Sequence, residues 1–376
     1  MKRKINLIFF HPYSALGGAD KSLLRLIKNI DLKKFDINFI SLNKSFLRKK
    51  IPKINFVRLK SKRVIFSFLK LRESLKKLIK KDNYEKNILI SNQNYANIVS
   101  FFSSIGLPNL KRVFIERNHI DELFFKRNLI SYIKNLCIFF LIKLIYPKSD
   151  KVIAISKGLA NSLKKVSRKS NVKLIYNPAF DNEILNLSKK KISFKFNKKL
   201  KYIICVSRLT KRKGIEELIE SFCDCIKVEK KMRLILIGYG KNEKNIYELI
   251  KRQKVRKFVK IIKRCENPYP YIKKSDLFVL NSKYEGFANV IVESIFLDTP
   301  VISTNCNSGP SEILLNGKGG KLIKVYDNQN LLTKEILKFF RNKKSLIQKN
   351  KVAKLNLKRF SVKNNVNEFN ELFIDI

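Results

Sequence analysis

The chain has no tryptophan, two histidines and only 30 acidic residues in 376. Two histidines cannot furnish the usual Cys/His zinc set, and the six cysteines (Cys137, Cys205, Cys223, Cys225, Cys265 and Cys306) include no C-x-x-C pair. Reduced thiols of a cytoplasmic protein are the expectation. Long clean apolar runs are also missing. The stretch 129–146 is broken by Lys134 and Lys143, which reads as a core or interfacial helix rather than a membrane span. The basic start imitates a signal peptide, but its apolar run Ile5–Phe10 is short and ends at His11-Pro12, as a buried first strand would.

Basic residues are abundant instead: 81 Lys and Arg give a net charge of +51. Such a field attracts polyanions, whether nucleic acid, anionic lipid or phosphorylated substrate. Over-use of Lys, Asn and Ile throughout, as in an AT-rich genome, accounts for part of it. No zinc-finger or RNP motif is present, and the aromatics lie in apolar strands rather than among the basic runs, which weighs against a nucleic-acid partner. A length of 376 residues suits two domains.

Two segments open alike. "KINLIFFHP" and "KYIICVSRL" read as continuous apolar strands, each followed by a loop and an amphipathic helical run, "DKSLLRLIKNI" and "IEELIESFCDCI". Strands apolar on both faces belong in parallel sheets covered by helices on each side, so the fold class is α/β, with two doubly wound, Rossmann-like domains. Further strands are expected at 87–91, 112–116, 151–156, 233–238, 259–262, 276–282 and 300–304. The segments 173–180 and 187–201 read as linker. This divides the chain into 1–178, 179–360 and a C-terminal segment 361–376.

The polar residues that interrupt this pattern cluster where ligands bind in such sheets, beyond the carboxyl ends of strands. Arg208 and Lys213 follow one strand, with Gly214 opening a helix. "KYEGFANV" follows another and opens the helix 289–297. A helix start offers free N–H groups and the positive end of a dipole. Arg208 adds a bidentate fork and Lys213 a point charge, together an anion site fit for a diphosphate. Gly286 would let the backbone approach the phosphates. Glu285 would lie beside whatever the phosphate carries, and Glu293 could accept two hydrogen bonds from a diol such as a ribose.

"VSRLTKRKG", "LILIGYG", "YPYIKKSDLFVLNSKYEGFANVIVES" and "PVISTNCNSGPSEI", with "GGADKS" (17–22) and "SDKVIAISKG" (149–158), resemble the successive motifs of glycosyltransferase family 4. The resemblance covers most of the chain except about 45–110. It implies a retaining enzyme of the GT-B fold, two facing Rossmann-like domains with a cleft between them, using a nucleotide diphosphate sugar, UDP-sugars favoured. On this resemblance Arg208 and Lys213 hold the donor diphosphate, Glu293 the ribose and Glu285 the sugar hydroxyls. Backbone N–H groups of Phe287, Ala288 and Asn289 meet phosphate and sugar, and Gly17 and Gly18 close on the donor. His119 in "ERNHID" stands near the transferred sugar. The sequence departs from common forms at Lys263, Ala288 and Asp298, where glycine or serine is usual; Asp tolerates a left-handed cap. The other main glycosyltransferase fold often holds a metal with D-x-D, which this chain lacks, so no metal cofactor is expected. No carboxylate nucleophile for double displacement stands out, and front-face attack is what the family implies.

The segment 60–81 places Val64, Ile65, Phe68, Leu71, Leu75, Leu78 and Ile79 along one helical stripe amid many Lys and Arg. It is either cover for the first sheet or a membrane-facing helix whose Lys70, Arg72, Lys76 and Lys77 meet anionic lipid. The expectation favours a glycan acceptor that is polyprenyl-diphosphate-linked, met at the inner face of the cytoplasmic membrane. A nucleotide-sugar epimerase of the same architecture and a basic nucleic-acid-binding protein are the alternatives.

Overall fold

A computed structural model describes residues 4–13, 17–43, 47–51, 53–80, 84–125, 128–326 and 329–376. The chain forms two compact units: residues 1–178 with 362–376, and residues 179–361. The last helix, Val362–Asp375, thus belongs to the first unit.

The first unit is a parallel sheet of β1 (Ile5–Phe10), β2 (Phe35–Ser41), β3 (Asn55–Arg58), β4 (Asn87–Asn92), β5 (Leu110–Glu116), β6 (Lys151–Ala154) and β7 (Val172–Leu174), in the order β3-β2-β1-β4-β5-β6-β7. One face packs Ile8, Phe10, Ile40 and Leu89 against Leu71, Leu75 and Val99 of the covering helices. On the other, Phe373 of the last helix meets Phe9 and Phe35 edge-on, with ring centroids 6.5 and 6.1 Å apart. A ladder of asparagine amides crosses four strands: Asn55 Nδ2 donates to Asn38 Oδ1 (2.7 Å), Asn38 Nδ2 to Asn6 Oδ1 (2.8 Å), and Asn6 Nδ2 to Asn87 Oδ1 (2.8 Å).

The second unit is a parallel sheet of β8 (Lys201–Val206), β9 (Met232–Ile237), β10 (Val259–Ile262), β11 (Leu277–Leu280), β12 (Val301–Thr304) and β13 (Lys321–Ile323), ordered β10-β9-β8-β11-β12-β13. Its core joins Ile203, Leu234, Leu236 and Ile302 to Leu218, Phe222 and Leu332. Fully burying side chains of this size stabilises a fold by about 1.5–3 kcal/mol each, so both sheets are anchored by their apolar runs.

Two expectations need correction. Residues 172–174, the last two of them read as the start of a linker, form the edge strand β7, too short and too polar for period-two patterning to reveal. The segment 60–81 is no single helix: Ile65–Ser67 is a 3-10 turn and the α-helix runs from Phe68 to Lys80, with Lys81 outside the described residues. The turn shifts the helical phase, so the expected stripe does not face one way. Val64, Leu71, Leu75 and Leu78 are buried, while Ile65 is 69% exposed.

Candidate active site

In each sheet the strand order reverses once, between β1 and β4 and between β8 and β11. A crevice for ligands opens at such a switch point. The expected anion site lies at the second of them. The loop after β8 returns toward β11 because Gly214 adopts φ +59°, with its backbone against Asn281; a Cβ there would stand 2.1 Å from the Asn281 carbonyl. Asn281 Nδ2 in turn donates to the Gly214 carbonyl at 3.0 Å. This closure brings Lys213 to Glu285, 72 residues away. Lys213 Nζ donates to Glu285 Oε1, and Ser282 Oγ donates to the same oxygen at 2.6 Å.

The pair is nearly dry, with side-chain exposures of 10% and 11%. Burial alone would raise the Glu285 carboxyl. The Lys213 charge and hydrogen bond, then Ser282 and Arg212, outweigh it and hold the group below its ordinary value. Burial lowers the Lys213 ammonium, Glu285 opposes that, and repulsion from Arg212 and Arg208 adds to it. Two cations, Lys213 and Arg212, therefore act on one carboxylate, and Arg208 acts on Lys213, a surplus of positive charge beside a helix start. Arg208 itself is exposed, and among the described residues no side-chain hydrogen bond holds its guanidinium. Nothing in the sequence singles out Arg212 beyond its place in "KRKG".

The loop after β12 braces the loop after β11. Thr304 Oγ1 and Cys306 Sγ both donate to the Ser282 carbonyl, at 2.6 and 2.9 Å, and Ser308 Oγ donates to the Glu285 carbonyl at 2.6 Å. Gly309, at φ +92°, lies flat on Phe287, where a Cβ would come within 2.0 Å of the carbonyl oxygen. Phe287 is buried edge-to-face on Phe360, with centroids 5.1 Å apart. Ala288 caps the helix Asn289–Phe296 with φ +72°. An alanine held there costs about 1–2 kcal/mol, a visible consequence of this departure from the family pattern. Asp298 does take the left-handed cap, at φ +65°.

Gly286 is buried, and its φ stays outside the left-handed region, so backbone freedom is not what a glycine supplies there. Glu293 is 4% exposed and accepts from Tyr269 Oη at 3.2 Å, a partner the sequence did not reveal. Lys263 is paired with Glu243 and lies 5.2 Å over the Tyr247 ring.

At the switch point of the first unit Gly17 caps the helix Gly18–Asn29. Its N–H donates to Asp20 Oδ2 (2.9 Å), while Asp20 Oδ1 holds His11 Nε2 at 2.7 Å. Arg117, also buried, donates from Nε to Asn92 Oδ1 (2.9 Å) and from Nη1 to Asn177 Oδ1 (2.7 Å). Burial lowers its guanidinium to about 10, against the pull of Asp20 and Glu116. His119 is buried and caps the 3-10 turn Ile120–Phe124, Nδ1 accepting from the Asp121 N–H at 3.3 Å. That leaves the ring proton on Nε2. Burial, only partly opposed by Asp121, lowers its pKa. The folded ring thus resists protonation where an unfolded histidine, near about 6.5, accepts it. Stability is full above that value and should fall as pH drops through it toward the folded pKa. Urea midpoints across this range should show the loss in the native chain. His119→Asn, which keeps a capping oxygen, should flatten it; an unchanged pH slope would mean that the loss arises elsewhere.

Of the residues proposed to meet lipid, Lys70, Lys76 and Lys77 are exposed. Arg72 is committed elsewhere. Its Nη1 donates to the carbonyls of Ser103 and Ile105, at 3.2 and 2.6 Å, closing the end of the helix Asn94–Ser104. Among the described residues no group of three or more His, Cys, Asp or Glu side chains is arranged to hold a metal ion.

The chain is similar to known proteins over most of its length. Residues 188–356 match the model of "Glycosyl transferases group 1". A Campylobacter jejuni relative, N-acetylgalactosamine-N,N'-diacetylbacillosaminyl-diphospho-undecaprenol 4-alpha-N-acetylgalactosaminyltransferase, is 28% identical over 90% of this chain and 89% of its own. The Erwinia amylovora amylovoran biosynthesis glycosyltransferase AmsD is 22% identical over 88% of each chain. Among solved structures, Anabaena HepE in complex with UDP and glucose superposes with a TM-score of 0.79 over 99% of this chain and 100% of that one, at 17% identity. A sucrose-phosphate synthase from Thermosynechococcus elongatus reaches 0.78 over 99% of each chain, at 16% identity. The chain is a glycosyltransferase of the GT-B fold, and its likeness to the group 1 glycosyl transferases lies in residues 188–356 of the second unit.

Proposed function

We propose that the chain is a retaining glycosyltransferase of family 4. It moves a hexose or N-acetylhexosamine from a nucleotide diphosphate sugar, UDP-sugars favoured, to a glycan acceptor carried on a polyprenyl diphosphate. The setting is assembly of surface polysaccharide, lipopolysaccharide or glycoprotein glycan, at the inner face of the cytoplasmic membrane. The observation that carries the reading is the pairing of Lys213 with Glu285 at the β8/β11 switch point, with Arg212 acting on both and Arg208 on Lys213.

As the glycosidic bond breaks, negative charge grows on the leaving diphosphate, and preorganised cations are worth most where water is excluded. Lys213 and Arg208 would meet it, Arg212 would reinforce the field, and the start of the Asn289–Phe296 helix would add backbone N–H groups. These groups supply the charge a metal would otherwise bring, and the reaction is proposed to run without one. Glu285, once Lys213 turns toward the diphosphate, is left to accept from sugar hydroxyls, and Glu293 from the ribose. The relatives named for diphospho-undecaprenol and amylovoran support an acceptor of this class, and the HepE complex supports a UDP-sugar.

A thermal-shift panel of UDP- and GDP-sugars tests the reading. A ligand at about 100 times its Kd stabilises by about 2.7 kcal/mol. UDP-sugars should raise the melting temperature, and Arg208→Ala should lose about 1.5–3 kcal/mol of donor binding. Glu285→Gln should lower turnover more than nucleotide affinity. No shift with any nucleotide sugar, or strong EDTA inhibition reversed by Mg²⁺ or Mn²⁺, would contradict the site or its metal independence respectively.

A further inference from the structure

The helix Leu129–Ile145 turns the wrong side to water. Asn135, Ile138, Ile142 and Ile145 face inward, and the outward stripe of Ile130, Ile133, Cys137, Phe140 and Leu144 is apolar as well. These positions recur every three or four residues on one side of the helix. Ile130 is 79% exposed and Leu144 63%. The only charges on the helix are Lys134 and Lys143, both exposed at the edges of the stripe.

The apolar tract continues across neighbouring elements. Lys134 Nζ lies 5.5 Å over the ring of Tyr95, which opens the adjoining helix Asn94–Ser104 and is itself exposed. The far end of that helix is tied to the 3-10 turn and helix before it: Ser103 Oγ donates to the Phe68 carbonyl at 3.0 Å. There Ile65, Phe66 and Leu69 are each about two-thirds exposed, beside exposed Lys62, Arg63 and Lys70. Across the three helical segments Glu73 is the one acid. Scattered exposed apolar residues need no explanation, but a tract this extended marks a contact surface.

The segment Leu129–Lys148 is long and apolar enough to cross a bilayer, with 28% of it buried. Its connections forbid crossing. It links β5 to β6, which pair side by side with Val113 opposite Lys151, and a span would put paired strands on opposite sides of the membrane. An apolar stripe edged by lysines and free of acids can instead lie in the plane of the interface.

We propose that this layer of the first unit docks on an anionic lipid bilayer. Ile130, Ile133, Phe140 and Leu144, with Ile65 and Phe66, enter the boundary between headgroups and acyl chains, while the flanking lysines and Arg63 meet lipid phosphates. This deepens the membrane placement proposed above but does not need the transfer reaction to be as described. Charge selects the occupant: a cationic surface carrying almost no acids repels a second copy of itself and attracts anionic headgroups.

Cys137 sits on the stripe and is the one exposed cysteine, so an environment-sensitive fluorophore on it, in a Cys265→Ser background, reads the contact directly. Vesicles of phosphatidylcholine with phosphatidylglycerol should shift its emission to the blue and carry the protein down on sedimentation; phosphatidylcholine alone should do so weakly. The combined variant Ile130→Gln, Ile133→Gln, Phe140→Gln and Leu144→Gln should bind the anionic vesicles roughly tenfold less or weaker still, with an unchanged thermal shift by UDP. Undiminished binding in that variant would overturn the proposal. So would a label that ignores both vesicle types, or a wild-type dimer that the four glutamines dissolve. Vesicle binding without sugar transfer would count against the glycosyltransferase reading alone.

Discussion

Lys213→Ala is expected to cost the second unit about 3–5 kcal/mol of stability, because it strands the Glu285 carboxylate in a nearly dry site. The partner left behind decides the size of the effect. Ser282 still donates to Glu285 and the Arg212 charge still acts on it, but neither replaces the hydrogen-bonded ammonium. Without Lys213 the largest opposition to burial is gone and the Glu285 pKa rises, so the deficit should be largest at neutral pH and shrink in acid as the carboxyl takes up a proton. The double variant Lys213→Met, Glu285→Gln removes both charges and should recover most of the stability while donor binding stays lost. Urea titration of the three proteins at two pH values separates these outcomes. A single variant that loses less than about 1 kcal/mol, the level of a surface ion pair, or a double variant no more stable than the single, would show that the pair is not the buried unit described.

Gly309→Ala should be nearly as severe and should act on the site through the backbone. Its φ of +92° suits no alanine, and the added Cβ would overlap the Phe287 carbonyl. Holding a side-chain residue in this sparsely populated backbone region costs about 1–3 kcal/mol, and forced overpacking adds about 1–3 kcal/mol. Something must move, and what lies on the other side is the loop that carries Glu285, Gly286 and Phe287. Affinity for UDP should fall together with stability, in contrast to Ser308→Ala, which removes one hydrogen bond and should cost about 1 kcal/mol. Crystals of Gly309→Ala with an unmoved 285–288 loop and native UDP affinity would refute the brace.

Much of this is legible in the sequence, for a physical reason. The central strands β1, β4, β8, β9, β11 and β12 are buried on both faces and therefore largely apolar, so they stand out without an alignment. Residues at their carboxyl ends are polar by necessity, which is what makes Arg208, Lys213 and Glu285 visible. The rest depends on contacts far apart in the chain. Nothing local marks Lys213 as the partner of Glu285, or Thr304, Cys306 and Ser308 as donors to carbonyls 22 to 24 residues earlier. The edge strands β3, β7 and β13 are short and half-polar, and their identity comes from the neighbour they pair with. Exposure is the hardest to foresee: Ile65 falls on the expected apolar stripe until a 3-10 turn rotates it outward, and Ile130 lies in a run where buried and exposed positions are equally apolar.

The asparagine ladder of the first sheet has a consequence for how the chain finds its alignment. Strands apolar on both faces specify their pairing offset weakly, since one isoleucine replaces another after a slide. Here β1 and β2 are mostly apolar and could shift by two residues with little loss of burial. The amides forbid it. Asn6, Asn38 and Asn87 are buried, and any slide would leave their donors and acceptors without partners, at about 1–3 kcal/mol for each group stranded. A one-residue slip would also turn every side chain to the opposite face. Four amide side chains, three of them buried, thus act as a vernier for strands whose hydrophobic faces could not measure the offset by themselves.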